Sequence, residues 1–194
     1  MTGGLVQNCI IVSNASYAGF ANNYGGSVRI TGGTLRNCLV IRNCHNEEGG
    51  GIGVLGGTVE NCTVVSNTAG GSAGGGIFRT AGTVTNTIVF YNKRSGVPDD
   101  IGGAVANFGY CCSPGLAHDP LGTGNITNEP LFVSLSVTNG SLLKFSPCIN
   151  AGINLGWMAA PGSVDLAGNP RRVARADIGA YEVQFLRGTT LMIR

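Results

Sequence analysis

Gly56 to Asn67 reads GGTVENCTVVSN, and the same pattern returns in register along the chain. Gly3 to Asn14 is GGLVQNCIIVSN, Gly32 to Asn43 is GGTLRNCLVIRN and Ala81 to Asn92 is AGTVTNTIVFYN. Two looser copies follow, GGAVANFGYCC at Gly102 to Cys112 and TGNITNEPLFV at Thr123 to Val133. Aligned, they place Asn8, Asn37, Asn61, Asn86, Asn107 and Asn128 at one position, with spacings of 29, 24, 25, 21 and 21 residues. A repeat of this length, made of Gly, β-branched residues and Asn with no helical period, predicts a solenoid of strands. A second motif, Gly25-Gly26-Ser27-Val28, Gly49-Gly50-Gly51-Ile52 and Gly74-Gly75-Gly76-Ile77, marks a third strand in each rung. The expected fold is therefore all-β, a right-handed single-stranded parallel β-helix of about six rungs over residues 1–133. An irregular capping region, 134–194, continues the same domain.

Alternation within a copy points Val59, Cys62 and Val64 inward and Glu60 and Thr63 outward, with Asn61 at the bend. Asn tolerates the left-handed backbone that a sharp corner needs, and stacked Asn side chains can hydrogen-bond between rungs, so the aligned Asn residues are read as structural. Cys9, Cys38 and Cys62 share one inward slot, with Thr87 next, and read as small buried hydrophobes with free thiols.

The chain has 194 residues with 33 Gly and 11% charged residues, against roughly 7% and 25% in an average globular protein. Its net charge of +2 comes from scattered Lys and Arg, which leaves no electrostatic footprint for nucleic acid. No apolar stretch is long enough for a membrane span. Met1 leads straight into the first repeat without a signal peptide, so the start reads as a cut, and the uncapped first rung suggests end-to-end or self-association.

Variation between rungs falls in the loops, where binding is expected. The first loop, Ala15 to Tyr24, carries Tyr17, Phe20 and Tyr24, rings that can stack on a sugar or pack over their own loop. Glu47 and Glu48 in the second and Asp99 and Asp100 in the fourth could bind calcium through oxygen ligands or simply be solvated; no other cofactor is expected. Cys44-His45 has no CxxC or HxxxH partner for zinc. There is no GxSxG nucleophile motif. Arg29, Arg36 and Arg79 read as outward-facing, as does Glu60, whose aligned neighbours Gln7, Arg36, Thr85 and Ala106 include no second carboxylate.

The C-terminal half carries four ordered motifs: Gly124 to Val133 (GNITNEPLFV), Ser146 to Gly152 (SPCINAG), Asp165 to Arg171 (DLAGNPR) and Ala176 to Glu182 (ADIGAYE). They resemble the end of choice-of-anchor Q domain proteins, bacterial right-handed parallel β-helix proteins. The resemblance implies export to the cell surface or medium and supplies no catalytic residue. Asp165, Asn169, Asp177 and Glu182 sit beside Gly and Pro, where short acceptors fasten turns by bonding backbone N–H groups. Trp157-Met158 can cover the last rung's apolar cross-section or meet a ligand. Cys148, isolated from the Cys slot, is expected to pair with Cys111 or Cys112, as the exported setting implied by the resemblance would allow. The expected function is a non-catalytic secreted or surface module that presents a repetitive wall to glycans or proteins. The alternative is a polysaccharide lyase or glycoside hydrolase.

Overall fold

The structure, a computed structural model, describes residues 1–16, 26–117, 122–136, 138–171 and 174–184. Three parallel sheets stack into a β-solenoid of about four turns. The first sheet runs Leu5–Gln7, Thr34–Arg36, Ile52–Glu60, Ile77–Thr85 and Ile101–Gly103, with Val28–Ile30 and Phe108–Gly109 paired at its sides. The second holds Ile10–Val12, Leu39–Ile41, Thr63–Val65 and Ile88–Phe90. The third stacks the short strands Ala15–Ser16, Cys44–His45, Thr68–Ala69 and Lys93–Arg94, with Val97–Pro98 antiparallel at its end.

Two left-handed residues per rung turn the chain from sheet to sheet. Asn8, Asn37, Asn61 and Asn86 have φ of 55°, 50°, 49° and 50°, and Ser13, Arg42, Ser66 and Tyr91 have 55°, 55°, 56° and 60°. Only four residues separate the corners, the first of them the inward Cys or Thr, which limits each strand of the second sheet to three residues.

The continuous ladder is made by the second Asn of each copy; among the first, Asn86 Nδ2 reaches Asn61 Oδ1 at 3.4 Å. Asn14 Nδ2 donates to Asn43 Oδ1 (3.0 Å), Asn43 to Asn67 (2.9 Å) and Asn67 to Asn92 (3.0 Å), and each of these oxygens also accepts the backbone N–H of the Asn donating to it. Asn92 passes the chain on to Asp100 Oδ1 (2.8 Å), where it ends. The first Asn, at its positive-φ corner, turns its side chain away from the solenoid. Asn37 Nδ2 bonds Val164 O (2.8 Å), Asn86 Nδ2 bonds Ile153 O (2.8 Å) and Asn61 Nδ2 reaches Asp177 O (3.4 Å).

The Cys slot also has a more specific rule than small size. Cys9, Cys38, Cys62 and Cys111 each donate Sγ–H to the carbonyl two residues earlier, across the corner, at 3.2, 3.0, 3.3 and 3.3 Å. Thr87 makes the same bond with its hydroxyl (2.9 Å). The slot therefore selects a small inward donor, and that is why Thr can stand among cysteines. Burial pushes the Cys111 thiol up to about 12 and Cys62 well above its ordinary value, so both stay protonated.

The pairing also corrects the later alignment. Phe108–Gly109 pairs with Val84–Thr85, which puts Tyr110 (φ 53°) at the corner and Cys111 in the slot. Asn107 lies three residues early. In the following partial turn Gly124 (φ 69°) takes the corner rather than Asn128, and Ile126 bridges Cys112. Regular pairing then stops. Pro114, opening a short 3-10 turn, and Pro130 both lack the N–H that a further parallel strand would donate, so about four turns form in place of about six.

The inner core is a column of buried apolar side chains: Leu35, Val59, Val84 and Phe108, with Ile30, Ile52, Val54 and Ile77, from the first sheet, and Val40, Val64 and Val89 from the second. Fully burying each such side chain stabilises by about 1.5–3 kcal/mol. Within the described residues the N-terminal strands have a neighbour on one side only, and Leu5 and Ile10 stay half exposed.

The C-terminal segment does not sit on the end of the stack. It folds back along the outer face of the second sheet and builds a second core, where Leu39, Ile41, Val65, Ile88 and Phe90 meet Cys112, Leu142, Cys148 and Ile178. Thr63 does face outward from the solenoid, yet it is fully buried there, and its hydroxyl accepts the Ala180 N–H (3.0 Å). A buried charged network holds this segment together. Arg171, fully buried, donates Nη2 to Asp177 O (3.0 Å) and Gly179 O (2.7 Å), with Nε 3.7 Å from Glu182 Oε2. Asp165 accepts the N–H groups of Ala167, Asn169 and Glu182, and Asp177 accepts those of Asn150 and Val183.

Candidate functional site

Register places Gln7, Arg36, Glu60 and Thr85 side by side on the outer face of the first sheet, next to the first corner. The neighbour beyond Thr85 is Gly109, not Ala106. Arg36 Nε donates to Glu60 Oε2 at 3.0 Å, with both side chains only 17% exposed. Over the guanidinium lies Trp157, whose ring centroid is 4.3 Å from Arg36 Cζ. Trp157 belongs to a 3-10 turn, Gly156–Ala159, pinned by Ser163 Oγ donating to Trp157 O (2.8 Å) and by Asn37 Nδ2 on Val164 O. Trp157 thus packs on the side wall at the second rung rather than over the last rung's cross-section.

Between this turn and the corner is a cavity of about 270 Å³, lined by Gln7, Asn8, Arg36, Asn37, Trp157 and the stretch Ala160 to Val164. Among its described lining residues there is no carboxylate. Two of them hold buried polar atoms with no hydrogen-bond partner, Asn37 Oδ1 and Trp157 Nε1. Each such atom costs about 1–3 kcal/mol while unsatisfied. The arrangement offers an aromatic wall, a paired and therefore neutralised guanidinium, and amide groups with unused bonding capacity. That combination suits a polar, uncharged molecule.

The other candidate residues lie apart. Arg79 is buried in the inward slot it shares with Ile30 and Val54, because the strand bulges just after it. Its guanidinium turns to the carbonyls of Gly82 (2.8 and 3.0 Å) and Ala104 (2.9 Å), and burial lowers its pKa. It clasps the bulge and is not on the outer wall. Arg29 is exposed and pairs in register with Gly53, away from the cavity. Tyr17 and Tyr24 lie outside the described residues.

The acidic pairs are separated, and three of the four carboxyls have partners. Glu48 accepts from Ser72 Oγ (2.6 Å), which lowers its pKa, while Asp99 binds Arg94 (2.9 Å) and Asp100 takes the end of the Asn ladder. The two pairs sit two rungs apart, about 10 Å at about 4.8 Å per rung, too far to share one calcium ion. Among the described residues no three His, Cys, Asp or Glu side chains come together as a metal site. His45 is buried, with Nδ1 accepting the Glu47 N–H (3.1 Å).

The thiols divide between the cores. Cys111 points into the inner core with the slot residues, which removes it from reach of Cys148 in the outer core. Cys112 and Cys148 face each other there as free thiols, and their hydrogen-bond contact together with burial raises the Cys112 pKa. Sequence repetition could locate Arg36 and Glu60; nothing periodic links Trp157 to them. Among the described residues no helix is long and apolar enough to cross a membrane. No family model matches the chain, and no curated protein or solved structure shows a significant similarity to it.

Proposed function

We propose that this chain is a non-catalytic, glycan-binding β-solenoid module, with the cavity beside Arg36 and Trp157 as its sugar site. The observation that carries this reading is the pairing of an aromatic wall with unsatisfied amide and indole groups beside a guanidinium already neutralised by Glu60. A pyranose has the matching chemistry. Its C–H face packs on an aromatic ring, and its hydroxyls donate and accept at once. A small turn of the indole to admit the sugar would give Asn37 Oδ1 and Trp157 Nε1 the partners they lack. The volume is just under the usual range of about 300–1,000 Å³ for small-molecule sites, which suits one uncharged sugar unit of a longer chain. The resemblance of the C-terminal motifs to choice-of-anchor Q proteins supports an extracellular or bacterial surface setting for this role.

Trp157 is the chain's single tryptophan, so its fluorescence reports directly on the site. Titration with neutral oligosaccharides should change that emission saturably, and Arg36→Ala or Asn37→Ala should weaken binding at least tenfold. The same mixtures should release no reducing ends and no unsaturated sugars. Turnover would replace this reading with the lyase or hydrolase alternative, and no saturable change across neutral glycans would remove the site.

A further inference from the structure

A second cavity, of about 210 Å³, opens at the other end of the molecule, where the Asn ladder stops. Its walls are Phe90, Tyr91, Pro98 and Pro114, almost wholly apolar, and its polar lining comes from Asn92, Lys93 and Asp100. Asp100 is only 7% exposed. Its Oδ1 is committed, accepting both the backbone N–H (2.9 Å) and the Nδ2 (2.8 Å) of Asn92. Among the described residues no donor meets Oδ2. The nearby charges do not supply one: Arg94 is held by Asp99 at 2.9 Å, and Lys93, exposed at the rim, forms no ion pair among the described residues.

With no donor on Oδ2 among the described residues and an apolar wall around it, this carboxylate is a ready acceptor, preferably for a charged donor. Its acidity reflects the setting. Burial raises the Asp100 pKa to about 6, with the two Asn92 bonds pulling down and Asp99 adding to the rise. At neutral pH the group is still mostly ionised. An amide at this position would end the ladder equally well by accepting the same two N–H groups, so the ladder does not by itself require a charge.

We propose that this cavity binds a small organic ammonium ion, its apolar body between the two aromatic rings and the two prolines and its N–H groups on the free oxygen of Asp100. The chemistry that fits is a primary amine on a ring or short branched chain, since the space is below that of larger ligands. This inference is independent of the sugar site.

The test is a nuclear magnetic resonance titration of the whole chain with benzylammonium and, as its uncharged counterpart, benzyl alcohol. Benzylammonium should shift the amides of Phe90 to Lys93 saturably, and benzyl alcohol should bind at least tenfold more weakly. Affinity for benzylammonium should fall as pH is lowered through about 6, where the carboxyl takes up its proton. Asp100→Asn should keep the fold by accepting the same two N–H groups of Asn92 and should lose at least tenfold in affinity. Equal affinity for the two probes in the unaltered chain would overturn the proposal, as would undiminished binding by Asp100→Asn or the absence of any saturable shift with benzylammonium.

Discussion

The inner core, enclosed by the three sheets, and the outer core, between the second sheet and the C-terminal segment, share the same short strands but follow different rules. In the inner core each residue packs on its own equivalent one rung away, as Leu35 does on Val59 and Val59 on Val84. In the outer core each strand residue meets a partner with no sequence relation to it, as Thr63 meets Ala180 and Leu39 shares a cluster with Cys148 and Ile178. Repetition makes the first core cooperative along the axis. The second depends on one buried ionic network closing correctly around Arg171.

Two adjacent substitutions test whether the cores are separable. Val64→Asp puts an unpaired carboxylate into the inner column, a cost of several kcal/mol, and should abolish the folded β signal in circular dichroism. Thr63→Asp puts the same charge on the opposite face, where it displaces the Ala180 bond. It should leave the solenoid's β signal in place while opening the segment beyond residue 140 to protease. If both variants unfolded completely, the molecule would be one cooperative unit.

Arg171→Ala should act on the outer core alone, at about 3–5 kcal/mol, because it leaves the buried acids Asp165 and Asp177 without their cation and Glu182 without its partner. Denaturant unfolding should then show an early transition from the C-terminal segment. A single unshifted transition would contradict this role for Arg171.

What could be read in the sequence follows the same division. The inward positions Val59, Cys62 and Val64 and the Asn corners repeat, so period alone reveals them. Tyr110 occupies a corner without being Asn, and that one replacement let Asn107 take its place in the alignment. The outer core left a quieter trace. IIV, LVI, TVV and IVF, the strands of the second sheet, are almost apolar on both faces, a pattern of strands covered on both sides. Alternation assigned Thr63 the right direction but could not show what would lie on it. For the site, Arg36 and Glu60 were visible as a register pair, whereas Trp157 arrives from a non-repeating turn whose position depends on tertiary packing.

Oxidation distinguishes the cores by cysteine. Mild oxidation with diamide should join Cys112 to Cys148 across the outer core and stabilise it by about 2–4 kcal/mol, leaving the buried thiols of Cys38, Cys62 and Cys111 alkylatable only after unfolding. Peptide mapping without reduction would reveal the link; a bridge through Cys111 would mean that the assignment of its side chain to the inner core is wrong.

The smallest effect is one of pH. Burial first, then the charge of Asp177, pushes Glu182 up to about 8 against the pull of Arg171. An unfolded Glu titrates near about 4.3, so the folded state holds this proton more tightly. Its contribution is therefore whole below about pH 4 and declines as pH rises through about 8. Glu182→Gln should flatten that decline in the outer-core transition. An unchanged slope would assign the pH dependence to another group.

The Asn ladder has a direction. From Asn14 to Asn92 one amide proton goes to the later acceptor. From Asn43 on, the side-chain oxygen faces the earlier Asn and the other proton goes back to a carbonyl of the earlier rung, so in the ladder each rung offers an acceptor to the one before and a donor to the one after. Any turn carrying Asn at this position is interchangeable with its neighbours, which makes the interior of the stack modular: a duplicated 25-residue unit inserted between Asn43 and Asn92 would find both of its bonds waiting. Asp100 breaks that equivalence, because a carboxylate accepts and cannot pass a proton on. It closes the ladder as a pure acceptor, and copy number in this architecture can change everywhere along the ladder ahead of that residue.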